Sequence, residues 1–303
     1  MPRLHGLGAH PWLRECSTIE INGIANRQWI RQALMAADGK LYLVCSAHQN
    51  CALLECHDVG SNVWSTRPLV TSADDPAADV SMAMGAATHG QMLLVADYTM
   101  HRVVVFTNGK LTGTLVANTL RQPCAVATDG SRAFVSGAGM VHEFDLLDGA
   151  CTAAWPTTSP DTGPFECDHG LAVHRDSVFV VDRRGSQVHV FNTSGTHLRS
   201  WGGVGEAAGC FRQPWGVAIC YDHVLVSEQS GKRVQIFTLT GMPVGQLCPD
   251  PDGCGDLAAV WADEQNGRVL IADWDKRCVR VMQLLSQAHS PQPGGGSKWD
   301  HGA

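Results

Sequence analysis

Short apolar runs recur along the last two-thirds of the chain, each bounded by turn residues and each followed by an acid or a bulky apolar side chain. Three stretches align. The first runs Gly170-Leu171-Ala172-Val173, then Val178-Phe179-Val180-Val181-Asp182, then Gln187-Val188-His189-Val190-Phe191. The second runs Gly216-Val217-Ala218-Ile219, then Val224-Leu225-Val226-Ser227-Glu228, then Arg233-Val234-Gln235-Ile236-Phe237. The third runs Ala259-Val260-Trp261-Ala262, then Val269-Leu270-Ile271-Ala272-Asp273, then Cys278-Val279-Arg280-Val281-Met282. The acids Asp182, Glu228 and Asp273 recur about every 45 residues, and Phe191, Phe237 and Met282 keep the same interval. Short apolar runs between turn signals predict strands. A period of this length made of strands predicts propeller blades. A single blade cannot bury both faces of its sheet, so several must close into a ring.

Extending the register towards the N-terminus adds three weaker copies. Gly85-Ala86-Ala87 leads to Met92–Asp97 and Arg102–Phe106. Ala125-Val126-Ala127 leads to Ala133–Ser136 and Val141–Phe144, with Gly137 in the acidic slot. The first copy reads Leu34-Met35-Ala36, Leu41–Val44 and Ala52–Leu54. The fold class is therefore all-β, a six-bladed β-propeller of four-stranded antiparallel blades over residues 29–285. In each blade a small-residue strand lines the channel and a looser strand such as His197 to Trp201 lies at the rim. The last copy stops after its third strand, at Met282-Gln283-Leu284-Leu285, and needs an outer strand from elsewhere. The N-terminal segment 1–28 offers one at 16–22, where Cys16-Ser17-Thr18-Ile19-Glu20-Ile21 has strand propensity and would close the ring. The segment 286–303, with Pro291-Gln292-Pro293-Gly294-Gly295-Gly296-Ser297, reads as a disordered tail.

Composition narrows the function classes. Hydrophobic content of 44% and charged content of 17% in 303 residues are ordinary for a globular chain. There is no long apolar run of membrane-spanning length. The start, Met-Pro-Arg-Leu-His-Gly-Leu-Gly-Ala-His, has no apolar secretory core, which points to the cytoplasm. Twelve cysteines include no Cys-x-x-Cys pair, the closest being Cys51/Cys56 and Cys248/Cys254. Cys124, Cys220 and Cys278 fall in or beside strands, so reduced structural thiols are expected. On the same ground the Asn192-Thr193-Ser194 sequon is expected to be idle. A net charge of −7, spread along the chain, argues against a broad grip on nucleic acid.

Several motifs dissolve on inspection. Gly202-Gly203-Val204-Gly205-Glu206-Ala207-Ala208-Gly209 mimics a dinucleotide fingerprint, which needs a helix directly after it. Phe211-Arg212-Gln213-Pro214 follows instead, so the stretch is a connector. Asp250-Pro251-Asp252-Gly253 lacks the later ligands of a calcium loop and reads as a turn. There is no Gly-x-Ser-x-Gly elbow, and His142-Glu143 has no second histidine at helical spacing.

Phe211-Arg212-Gln213-Pro214-Trp215-Gly216-Val217-Ala218, then Val224–Glu228, then Arg233-Val234-Gln235-Ile236-Phe237 resembles an NHL repeat. The likeness is close around Asp182 and Glu228, fair around Asp97 and Asp273, poor in the first and third copies, and covers roughly residues 30 to 285. It implies a propeller fold and two settings. One is the recognition module of tripartite-motif and other RING-type ubiquitin ligases, which binds protein or RNA. The other is an enzyme like the peptide-amidating lyase, where histidines heading several inner strands hold a metal.

The residues favour the first setting. A catalytic metal needs about three converging protein ligands. Only His169 heads an inner strand as a histidine; the equivalent slots hold Met84, Cys124, Trp215 and Ala258. The inner strands of copies two to six carry no carboxylate or amide. No metal, cofactor or catalytic residue is expected. The recurring acid and arginine pairs, Asp97 with Arg102 and Glu228 with Arg233, read as turn scaffolding. The rim-to-inner connections and the turns between second and third strands share one face, which would carry Tyr98, His169, Arg183, Arg184, Arg212, Trp215, Gln229 and Trp274. Trp, Tyr and Arg dominate tight-binding surfaces, so a protein or peptide partner is expected there. Single-stranded RNA would also suit aromatic and arginine side chains, but the net charge and Asp74-Asp75-Pro76-Ala77-Ala78-Asp79 oppose it. No RING module or coiled coil is legible, so any ligase chemistry is expected on another polypeptide or in a missing exon.

Overall fold

The computed structural model describes residues 13–20, 29–35, 39–47, 50–56, 64–68, 80–159, 163–164, 168–247, 253–263 and 267–284. The tail 286–303 and most of the Asp74–Asp79 and Asp250–Gly253 stretches lie outside them. Among the described residues there are 26 strands and no helix. No helix is long and apolar enough to cross a membrane among these residues.

The chain begins with β1 (Leu13–Glu20) and then builds antiparallel four-stranded blades. Blade one is β2 (Trp29–Met35), β3 (Leu41–Ala47), β4 (Asn50–Cys56) and β5 (Trp64–Pro68). Blade two is β6 (Ala83–His89), β7 (Met92–Asp97), β8 (Arg102–Thr107) and β9 (Lys110–Leu115). Blade three is β10 (Pro123–Thr128), β11 (Arg132–Gly137), β12 (Met140–Asp145) and β13 (Cys151–Pro156). A small ladder of β14 (Thr158–Ser159) and β15 (Gly163–Pro164) follows. Blade four is β16 (Asp168–His174), β17 (Ser177–Asp182), β18 (Gln187–Asn192) and β19 (His197–Gly202). Blade five is β20 (Pro214–Cys220), β21 (His223–Glu228), β22 (Arg233–Thr238) and β23 (Pro243–Leu247). These five blades are unbroken in sequence. The remaining strands, β24 (Leu257–Asp263), β25 (Arg268–Asp273) and β26 (Cys278–Leu284), form a composite sheet in which β1 pairs with β26.

Two sequence expectations shift. The segment that joins the last sheet starts at Leu13, ahead of the expected 16, and is described to Glu20, with 21 and 22 outside the described residues; Leu13 lies opposite Leu284, Glu20 opposite Cys278, and a bulge falls between Glu15 and Ser17. The inner strand of blade one starts at Trp29 instead of Leu34. Arg31 and Gln32 interrupt its apolar run, which hides its first half from a hydrophobicity reading.

Burial follows from the stacking of blades. The second strands β7, β11, β17, β21 and β25 are buried at every position after the first, because each lies between two neighbouring sheets. A strand covered on both faces must be apolar continuously rather than alternately. The rim strands β9, β13 and β19 are largely exposed. Leu93 and Val104 pack on Leu34 and Val44 between blades one and two. Phe134 and Trp155 meet Val178 and Phe191 between blades three and four. The composite sheet packs on blade five through Val269 and Ile271 against Leu225 and Ile236, and on blade one through Leu270 and Val279 against Ile30 and Leu43. Cys45, Cys124, Cys220, Cys254 and Cys278 are buried in these layers as reduced thiols.

The recurring acids hold the blades' connections. Asp97, Glu228 and Asp273 are fully buried and Asp182 nearly so. Asp97 accepts from the backbone N–H groups of Ser81 and Met82, both at 3.2 Å, in the connection entering blade two. Glu228 accepts from the Arg212 N–H at 2.8 Å, Arg233 Nε at 2.6 Å and Gln235 Nε2 at 2.8 Å. Asp273 accepts from the N–H groups of Gly255 at 3.0 Å and Lys276 at 2.9 Å. Blade three has no room for an acid. A Cβ on Gly137 would stand 2.5 Å from the Arg121 carbonyl oxygen, so the connection packs directly on the strand.

The middle position of the third strands carries a second buried polar series: His142, His189, Gln235 and Arg280. Ser200 Oγ lies 2.9 Å from His189 Nδ1 and 2.8 Å from His197 Nε2. One hydroxyl has one proton and two lone pairs, so at least one imidazole donates to Oγ. Burial, with the nearby His197 adding to it, pushes the His189 imidazole down to about 4, and burial also lowers His142.

Two outcomes follow from these buried groups. Glu228→Ala removes the acceptor of three donors and should cost about 3 kcal/mol or more, read as a lower urea midpoint; an unchanged midpoint would mean that the acid does not hold the blade. Below about pH 6.5 the unfolded chain takes up a proton at His189 that the folded chain refuses until about pH 4. Stability should therefore fall with decreasing pH across that window, by about 3 kcal/mol from this group, and level off below it. His189→Gln, which places in blade four the residue found at Gln235, should flatten that part of the profile.

Candidate functional site

The mouth of the central channel on the connection side is built from two repeated positions. The first is the residue after the buried acid: Tyr98, Arg183, Gln229 and Trp274. The second is the second residue of the inner strand, occupied by Met84, Cys124, His169, Trp215 and Ala258. Backbone hydrogen bonds tie the two together. Tyr98 donates to the Met82 carbonyl at 2.9 Å, Gln229 to Gln213 at 3.0 Å and Trp274 to Asp256 at 2.9 Å. Each of these turns therefore sits directly over the start of its own inner strand.

Five of the eight expected site residues come together. The Arg183 guanidinium lies over the Trp215 ring at 4.9 Å and its Nη2 donates to Gln229 Oε1 at 2.8 Å. Trp215 and Trp274 meet edge to face with ring centroids 5.9 Å apart. Tyr98 packs on the same apolar cluster. Trp215 itself is only 6% exposed, so it anchors neighbouring sheets, while Tyr98, Arg183 and Trp274 remain half-exposed. Arg212 stands apart in an exposed pair with Glu206 at 2.6 Å, and Arg184 is exposed on the turn beyond Arg183. His169 lies on β16, and its side chain is outside the described residues.

Sequence reasoning missed Arg31. It is 4% exposed, and its guanidinium lies 5.2 Å from the Trp274 ring centroid and 5.9 Å from that of Trp215. Its Nε donates to Ser46 Oγ at 2.8 Å. A charge set between Ile30 and the apolar Ala33-Leu34-Met35 was the available signal. Cation and ring here hold one another in place, an arrangement worth most when desolvated.

Behind the mouth the channel has two chambers. A narrow one of about 40 Å³ is lined by Met84, Trp215 and the first halves of the inner strands. A wider one of about 290 Å³ lies towards their far ends, lined by Thr88, Thr128, Trp261 and small apolar residues. Gln32 lines both chambers. The five inner strands read as free of amides bring none to the channel; the amide comes from the inner strand of blade one, which reaches further back than its apolar residues indicate. Among the described residues no three of His, Cys, Asp or Glu are grouped as metal ligands would be.

No protein-family model matches the chain, and no curated protein matches it.

Arg31→Leu should lower stability by about 2 kcal/mol through the loss of the Ser46 bond and the stacked cation. It should also change tryptophan emission, since Trp215 and Trp274 lose the charge above their rings. Urea denaturation followed by fluorescence checks both, and a wild-type midpoint and spectrum would remove Arg31 from the cluster.

Proposed function

We propose that the chain is an NHL-type propeller in which the five unbroken blades and the composite sheet make a six-bladed ring closed by β1. We further propose that its connection-side mouth binds a protein or peptide partner in the cytoplasm, in the context of ubiquitin-dependent turnover. The packing of the composite sheet on both blade one and blade five supports the ring. The resemblance around Asp182 and Glu228 supports the family and, through it, the turnover context.

The partner reading is carried by one observation: half-exposed Tyr98, Arg183 and Trp274 crown the same mouth, braced from beneath by buried Trp215 and Arg31. Rigid aromatic and arginine side chains lose little freedom on binding and dominate the energy of protein interfaces. Met100, in the turn after Tyr98, is 48% exposed and extends the apolar part of the surface. The bracing means that the surface is formed before a partner arrives.

The test is proximity labelling followed by binding measurements on purified partner fragments, with a Met100→Glu/Arg184→Glu variant beside the wild type. Both substitutions lie on exposed turns, so the melting temperature should not move. Affinity for a true partner should fall by at least about tenfold. A variant that recovers and binds the same partners as wild type overturns the reading, and recovery abolished by ribonuclease replaces it with RNA binding.

A further inference from the structure

We infer that the wider chamber of the channel is a binding site for a small, neutral, polyhydroxylated molecule of monosaccharide size. The chamber is lined by the inner strands β2, β6, β10, β16, β20 and β24. Each of these is the end strand of its sheet, so its channel-facing edge has no strand partner. Such edges present backbone N–H and C=O groups that need hydrogen-bond partners. A purely apolar occupant would strand them. Among the described residues no lining side chain carries a charge, so an ionic occupant would lose its hydration without gaining a counter-ion from them. The walls therefore select an occupant that is uncharged and rich in donors and acceptors.

The side chains refine this choice. The Gln32 carboxamide faces both chambers and has no hydrogen-bond partner among the described residues. It offers two donors and an acceptor. Thr88 Oγ1 donates to the Met35 carbonyl at 3.0 Å, and Thr128 Oγ1 donates to the Thr88 carbonyl at 3.4 Å. Their protons are committed, which leaves oxygen lone pairs to accept from ligand hydroxyls. Trp261 is half-buried and lines the same chamber, adding an apolar aromatic surface for the C–H face of a sugar or cyclitol ring. An amide, hydroxyl acceptors and one aromatic surface complement alternating O–H and C–H groups on a saturated ring.

Size and direction agree with this. A volume of 290 Å³ corresponds to roughly ten waters, and a hexose or inositol would displace about half of them. The narrow chamber of about 40 Å³ is too small for such a ring. Entry is therefore from the wide end, opposite the aromatic and arginine mouth, and a ligand there does not compete with a partner at that mouth.

The experiment is saturation-transfer NMR and calorimetry on the full-length chain with D-glucose and myo-inositol, and with D-glucuronate as the charged counterpart. At least one neutral polyol should bind saturably at one site, and glucuronate should not. Gln32→Leu should weaken binding by at least about tenfold, and Ala127→Phe, which fills the chamber, should abolish it. Melting curves identify any variant that fails to fold, and Gln32→Leu decides the matter if Ala127→Phe does. The Met100→Glu/Arg184→Glu variant should bind the polyol as wild type does, which separates this site from the partner surface. The inference is overturned if neither polyol saturates, if glucuronate binds equally well, or if folded Gln32→Leu binds with wild-type affinity.

Discussion

A carboxylate buried at the end of a second strand is the interaction on which the rest of this propeller depends. Glu228 is the fullest case, gathering the Arg212 backbone, the Arg233 guanidinium and the Gln235 amide on one side chain. A buried charge left alone is costly, but one that meets several donors fixes all of them in place. Here the donors belong to two segments, the incoming connection and the third strand. The acid thus ties the connection to the blade as one rigid corner. Asp97 and Asp273 repeat the device with backbone donors.

That rigidity explains why the mouth is organised as it is. The residues after Asp97, Glu228 and Asp273 are held in place because their backbone N–H groups are bonded to the connection beneath. Selection of side chains at that one repeat position, Tyr98, Arg183, Gln229 and Trp274, sets the chemistry of a whole face. The buried Trp215 and Arg31 then convert separate turns into a continuous surface by linking blades four, five, one and the composite sheet. Scaffold and surface are therefore one set of contacts, and a substitution in the second layer should be felt at the first.

How legible this was depended on how regularly each feature repeats. The second and third strands stand out because strands covered on both faces are continuously apolar, and their period survives even where the turn chemistry changes. The bland reading of the acids also follows from their recurrence. What escaped notice occurs once. Arg31 and Gln32 break the apolar run of the first inner strand, so the strand looked shorter than it is. Arg31 lies beside the Trp215 and Trp274 rings, and Gln32 lines the channel. The register of β1 was blurred by its bulge, which lets an additional residue slip against β26. Gly137 was visible as an empty acidic slot, but the carbonyl that fills the space comes from a connection that no pattern predicts.

The two ends of the channel impose opposite demands on whatever approaches them. At the mouth, rings and guanidinium groups pack on one another, a surface suited to a partner that contributes apolar area and a few well-placed acceptors. In the wide chamber the strand edges and the Gln32 amide leave hydrogen-bonding capacity in excess, which only water or a polar neutral molecule can meet. The narrow chamber between Met84 and Trp215 separates these environments. Because Gln32 lines both chambers and is adjacent to Arg31 on β2, an occupant that orders the Gln32 amide also bears on the strand that carries the Trp215 and Trp274 stack. The first inner strand, the least regular copy of the repeat, is the physical link between the two ends.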